Sequence, residues 1–224
     1  MSIVRQSLLV AGKDLRIEAR SRVALNQVVP FGAIVLVLFA FALDPDRGLL
    51  PRVAPGLFWV AVLLAGLLAT SRAFTVENDS GVRDALRLSG LDGAALFCGK
   101  ALAVAAELLV LEVILGAGVV VLYDLEPHHP LVLGVTALVA TAGLAAAGTV
   151  YGALAAGLRV RETLFPLLVL PVVAPVMLGG TRAFEAALEG TPGEAWPWVQ
   201  LLGVFAVIYI TMGWLAFGAL LEES

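Results

Sequence analysis

Six apolar segments in this chain are long enough to cross a lipid bilayer, and nothing else in the sequence restricts its fold as strongly. They run from about Ala24 to Leu43, Val53 to Thr70, Ala94 to Leu122, Leu131 to Leu158, Leu164 to Gly180 and Val199 to Leu221. A spanning helix needs roughly 20 apolar residues, and in lipid its backbone polar groups must bond within their own segment. Only 14% of the 224 residues are charged, well below the roughly one quarter of a soluble domain. The expected fold class is therefore all-α: a polytopic membrane protein with six transmembrane helices. Residues 1–23 are expected as an amphipathic interfacial helix and 24–221 as the six-helix domain. That domain includes a polar loop at 71–93, and residues 222–224 form a short tail.

Lysine and arginine favour the cytoplasmic side of a membrane protein. One set of compartments holds Arg5, Lys13, Arg16, Arg20, Arg22, Arg72, Arg83, Arg87, Lys100, Arg159 and Arg161, with Lys100 at the inner end of the third span. The opposite side holds Arg47, Arg52 and Arg182. This imbalance predicts that both termini and the 71–93 loop lie in the cytoplasm. The beginning of the chain does not read as a cleavable signal peptide, because basic residues are scattered through it and no cleavage site follows a compact apolar core. Ile3, Val4, Leu8, Leu15 and Ile17 alternate there with Arg5, Lys13, Arg16 and Arg20, the pattern of a helix lying at the inner interface. Asn26, Gln27 and Pro30 predict a break before the chain enters lipid.

The polar stretch "SRAFTVENDSGVRDALRLSG", Ser71 to Gly90, divides in two. Its first part continues or leaves the second span. Its second part reads as a short helix from Asp79 to Ser89, capped by Asp79 or Ser80 and stopped by Gly90. Val82, Ala85, Leu86 and Ser89 share one face, with Arg83 and Arg87 beside it. A helix of this length needs a surface to pack against. The residues alone leave two readings open: docking on a partner, or an inner loop whose arginines meet headgroups.

Phe74, Glu77, Gly81, Asp84 and Leu86 resemble the motif of the heme exporter B family, the membrane subunit of the cytochrome c maturation system. That motif is Phe, two residues, Asp, three residues, Gly, two residues, Glu, one residue, Leu. "FTVENDSGVRDAL" keeps the spacing and exchanges the two acids, with Glu at 77 and Asp at 84. "APGLFWVAVLLAGLLATSRAF" resembles the family's second span, Lys100 matches a lysine early in its third, and "LLVLPVVAPVMLGG" resembles its proline-bearing fifth. The resemblance covers nearly the whole chain. It implies a permease bundle of the type-2-like ATP-binding-cassette class, whose loop helix docks into a cytoplasmic ATPase subunit. Phe74, Glu77, Gly81, Val82, Asp84 and Leu86 would then form the coupling element. Heme is implied as the handled or transported ligand, and a second, heme-handling membrane protein as a further partner.

No GxxxxGK[ST] motif occurs, so ATP is expected to act only through a separate chain, and the protein itself is not expected to be an enzyme. Cys98 is the single cysteine and excludes an internal disulfide. His128 and His129 stand in an outer turn, read as solvated rather than as heme or metal ligands. No metal site and no nucleic-acid partner are expected. Glu107 and Glu112 both fall inside the third span, where a carboxylate needs a partner, a cavity or the bundle interior. Five residues at about 100° each place them roughly 140° apart, so they face different neighbours. Glu107 is expected to face the bundle, and a buried polar network is preferred to proton carriage. The small-residue run around Gly148 and Gly152 predicts close helix packing, either within the bundle or at a subunit seam such as a homodimer's. Pro166, Pro171 and Pro175 predict a distorted fifth span. Thr181 to Glu189 is expected as a separate short outer helix, with Trp196 and Trp198 marking the outer interface.

Two other functional classes compete with the heme-handling permease. A permease of the same class for a lipid, drug or polysaccharide would share the fold and the ATPase. An autonomous secondary transporter or channel would need no ATPase, but no inverted repeat is visible.

Overall fold

The computed structural model describes residues 2–21, 24–43, 49–78, 90–156 and 161–223. Within them the chain is helical throughout, in the order α1 (Ile3–Ser21), a π-helical turn (Ala24–Val28), α2 (Val29–Ala42), α3 (Leu49–Asn78), α4 (Gly93–Tyr123), α5 (Pro130–Ala156), α6 (Arg161–Val172), α7 (Ala174–Leu188) and α8 (Pro192–Glu223). Four of these, α3, α4, α5 and α8, are each long and apolar enough to cross a membrane. Two bent pairs bring the number to six if each pair forms one span: Ile3–Ser21 with Asn26–Ala42, bent by 56°, and Leu164–Val172 with Ala174–Leu188, bent by 51°.

Local chemistry explains the breaks. The π-helical turn stands where Asn26, Gln27 and Pro30 interrupt the pattern, and Pro30 occupies the first turn of α2, where its missing N–H costs nothing. Pro171 and Pro175 flank Val173, the residue at which α6 gives way to α7. Each proline removes a backbone donor, so the helix axis turns between them. Asp92 caps α4 by accepting a hydrogen bond from Ala94 N at 2.9 Å. At the end of α7, Gly190 adopts φ +80° and Thr191 N donates to Ala186 O at 2.9 Å, a glycine-terminated helix stop.

One expectation is corrected here. Thr181–Glu189 is not a separate helix, because α7 runs without interruption from Ala174 through Gly179 and Gly180 to Leu188. Those glycines do not break it. They let it approach its neighbours: a Cβ on Gly180 would lie 2.5 Å from Trp59 Cε2. The second glycine-rich surface has a comparable use. Gly148 and Gly152 of α5 receive Thr70 and Phe74 of α3, four residues apart on both helices, so this seam lies inside the bundle.

The main apolar core gathers Trp59, Val62, Leu108, Leu115, Leu144, Phe165, Val176 and Leu202 from six of the helices. Phe58, Trp59 and Phe184 pack their rings at centroid distances of 5.1–5.5 Å. The Tyr123 hydroxyl donates to Leu36 O at 2.8 Å and ties the end of α4 to α2.

Candidate functional site

The polar loop between α3 and α4 is best approached from its two roots. Gly81, Val82, Asp84 and Leu86, together with the expected Asp79–Ser89 helix, lie outside the described residues, as does the side chain of Glu77. The backbone of α3 continues to Asn78, so "SRAFTVEN" extends the span. On the far side the chain returns through Gly90, at φ +64°, into the Asp92 cap.

Phe74, the first residue of the loop motif, is buried at 4% exposure. Its ring packs against Gly152 and lies under the Lys100 ammonium, 4.9 Å from Nζ. Leu91, at the other root, packs against the same apolar cluster, which also contains Val10 of α1, Phe97 of α4, Val150 of α5 and Phe217 of α8. Both ends of the loop are thus seated in one small core shared by five helices. Phe74 anchors the loop and offers no surface to an outside molecule.

Lys100 is the second element of this end. It is 1% exposed on α4, with Nζ 3.7 Å from Asp14 Oδ2 of α1. Asp14 also pairs with Lys13 at 3.0 Å, and Arg72 of α3 stands 3.9 Å from Glu18 of α1. With Glu107 these side chains line a cavity of about 120 Å³ between α1, α3 and α4. Three cations and three carboxylates line it, and Asp14 stands opposite Lys100. A buried cation without such compensation is strongly destabilising, which makes α1 a required partner of Lys100. The contact between α1 and α4 is correspondingly close. A Cβ on Gly99 would lie 2.5 Å from Val10 Cβ and 2.8 Å from Ser7 O. Asp92 N also donates to Gln6 Oε1 at 3.2 Å.

The two carboxylates of the third span separate as their helical angle requires, but in the opposite sense to that expected. Glu112 is the one enclosed by the bundle, at 5% exposure, and Glu107 is half-buried beside α1 in the charged cluster. The expectation for Glu107 weighed the pull of the bundle alone and missed α1, whose packing against α4 encloses Glu107 in a cluster with Asp14, Glu18 and Arg72. The Thr141 hydroxyl of α5 donates to Glu112 Oε1. Asp14, Glu18 and Arg72 were not singled out from the sequence. A lone lysine inside an apolar run and an acid on a basic helix were the available signals.

The opposite end of the bundle is less organised. His128 is exposed and His129 half-buried, in the turn after Asp124. Among the described residues no group of three or more His, Cys, Asp or Glu is placed to hold a metal ion.

Comparison with known proteins fixes the lineage. The chain is 34% identical to heme exporter protein B of Pseudomonas aeruginosa over 188 residues, which covers 84% of each chain. It is 34% identical to heme exporter protein B of Rhodobacter capsulatus over 197 residues, 87% of this chain and 88% of that one. Against heme exporter protein B of Haemophilus influenzae it is 30% identical over 223 residues, 97% of each. The family model described as CcmB protein matches residues 5–224, and the chain therefore belongs to the CcmB family.

Proposed function

We propose that this chain is the membrane permease subunit of an ATP-binding-cassette complex that handles heme for c-type cytochrome maturation. The observation that carries this reading is the family match across residues 5–224, joined to the name its relatives bear, heme exporter protein B. ATP is hydrolysed by a separate cytoplasmic subunit, consistent with a chain that contains no P-loop motif. The 79–89 segment docks on that subunit through Val82 and Leu86. Glu77 and Asp84 hold it in place by accepting hydrogen bonds. Its movements pass through Phe74 and Leu91 into the core shared by α1, α3, α4, α5 and α8. Because the Lys100–Asp14 and Arg72–Glu18 pairs sit beside Phe74, α1 moves with the loop rather than apart from it. The complex presents heme to a second, heme-handling membrane protein, with both termini and the loop facing the cytoplasm.

The test is deletion of the native gene in the bacterium that carries it and makes c-type cytochromes, followed by complementation with this chain. The reading predicts that covalent heme on those cytochromes is lost on deletion and restored by this chain. Normal covalent heme in the deletion strain would reject it.

A further inference from the structure

A cavity of about 540 Å³ lies between α3, α4, α5 and α7, inside the roughly 300–1,000 Å³ range of small-molecule sites. It runs along α4 from Leu109 to the loop after Tyr123, about 21 Å at the helical rise. Val113 and Leu138, 73% and 56% exposed, flank its mouth between α4 and α5, so it opens sideways toward lipid. The stacked rings of Phe58 and Phe184 form part of its wall. Glu112 is its single polar lining side chain among the described residues, and it stands near the inner end.

Glu112 is also incompletely satisfied. Oε1 takes the Thr141 hydroxyl, while Oε2 has no hydrogen-bond partner among the described residues. An acceptor left bare in an apolar site is destabilising, and a donor supplied there is favoured. A phospholipid resting in its leaflet would bring only a chain methyl to that depth. Heme fits the lining no better: no His, Cys, Met or Tyr is present to ligate iron, and no Lys or Arg to meet a propionate.

We propose that this groove is a binding site for a membrane-dissolved amphiphile whose apolar body fills it and whose buried head donates a hydrogen bond to Glu112. The ligand enters sideways from the bilayer, between α4 and α5. The shared chemistry is the donor, which an alcohol or an amine supplies equally.

Photolabelling of the purified full-length chain separates these cases. The probes are diazirine-bearing tetradecanol and tetradecylamine, with the corresponding alkane and the methyl ester of the fatty acid, which has no donor, as controls. At least one donor-headed probe should label groove peptides of α4 and α5 about tenfold more than either control, the scale of one hydrogen bond to a carboxylate. Stronger labelling by the alcohol assigns a neutral head, and stronger labelling by the amine a cationic one. E112Q keeps an acceptor for Thr141 but places a donor where Oε2 stood, and should bring labelling down to the alkane level. G134L is the filling variant: a Cβ on Gly134 meets nothing within 4 Å. It should abolish labelling while leaving thermal stability unchanged. Equal labelling by alcohol, amine and alkane, full labelling of G134L, or displacement of the bound probe by heme would each overturn the proposal.

Discussion

Lys100 and Glu112 lie on the same helix, about 18 Å apart along its axis, and both are buried. Their surroundings differ in kind. Lys100 is answered by a carboxylate from α1 and by the face of Phe74, so its charge is matched by two other elements. Glu112 is answered by one hydroxyl and by an open apolar groove. A charge buried for architecture is surrounded by partners from the chain itself. A polar group buried beside an incomplete set of partners and a cavity is arranged for something that arrives. The loop end of the bundle is built in the first way and the groove in the second.

Substitutions at the two places should therefore differ in size. K100M removes the buried cation opposite Asp14 but leaves Lys13 beside it, so it should cost about 3 kcal/mol, the low end for breaking a buried pair, measured as unfolding free energy in detergent micelles. The double variant D14N/K100M should recover part of that loss, because the buried carboxylate left short of a cation is removed and the remaining Lys13 is partly exposed. A silent K100M would break the comparison. G99V acts on the same contact sterically. It forces Val10 and Ser7 away and should cost about 1–3 kcal/mol. Once Cys98 is replaced, it should also expose a cysteine placed at the buried Ser7 to a thiol reagent. T141V takes away the Glu112 donor and should cost about 1–2 kcal/mol, with α1 still protected. Losses of equal size for T141V and K100M would erase the distinction between the two sites.

Four of the spans were legible because apolar runs of bilayer length have few other uses, and the interruption at Asn26–Pro30 was legible because proline and polar amides leave a local mark. Gly179 and Gly180 misled for the opposite reason. Glycines read locally as an end, whereas here Trp59, about 120 residues earlier in the chain, packs on Gly180, and Leu202 packs on Gly179, inside a continuous helix. The motif at 74–86 could be spotted, but the burial of Phe74 could not, since it depends on Gly152 and Lys100. The angle between Glu107 and Glu112 follows from helical geometry alone. Which neighbour each one meets does not: α1 folds back against α4 to join Asp14 with Lys100, 86 residues apart, and no periodicity encodes that.

The central claim is that the 79–89 segment couples this bundle to a cytoplasmic ATPase through an apolar contact at Leu86. Its most direct test is the amount of ATPase that co-purifies with the tagged chain in mild detergent, parent against L86D, at equal membrane levels. An aspartate placed in an apolar groove costs several kcal/mol, on the order of 2–7. The account predicts that L86D inserts normally and brings down almost no ATPase. An L86D chain that recovers as much ATPase as the parent would contradict it.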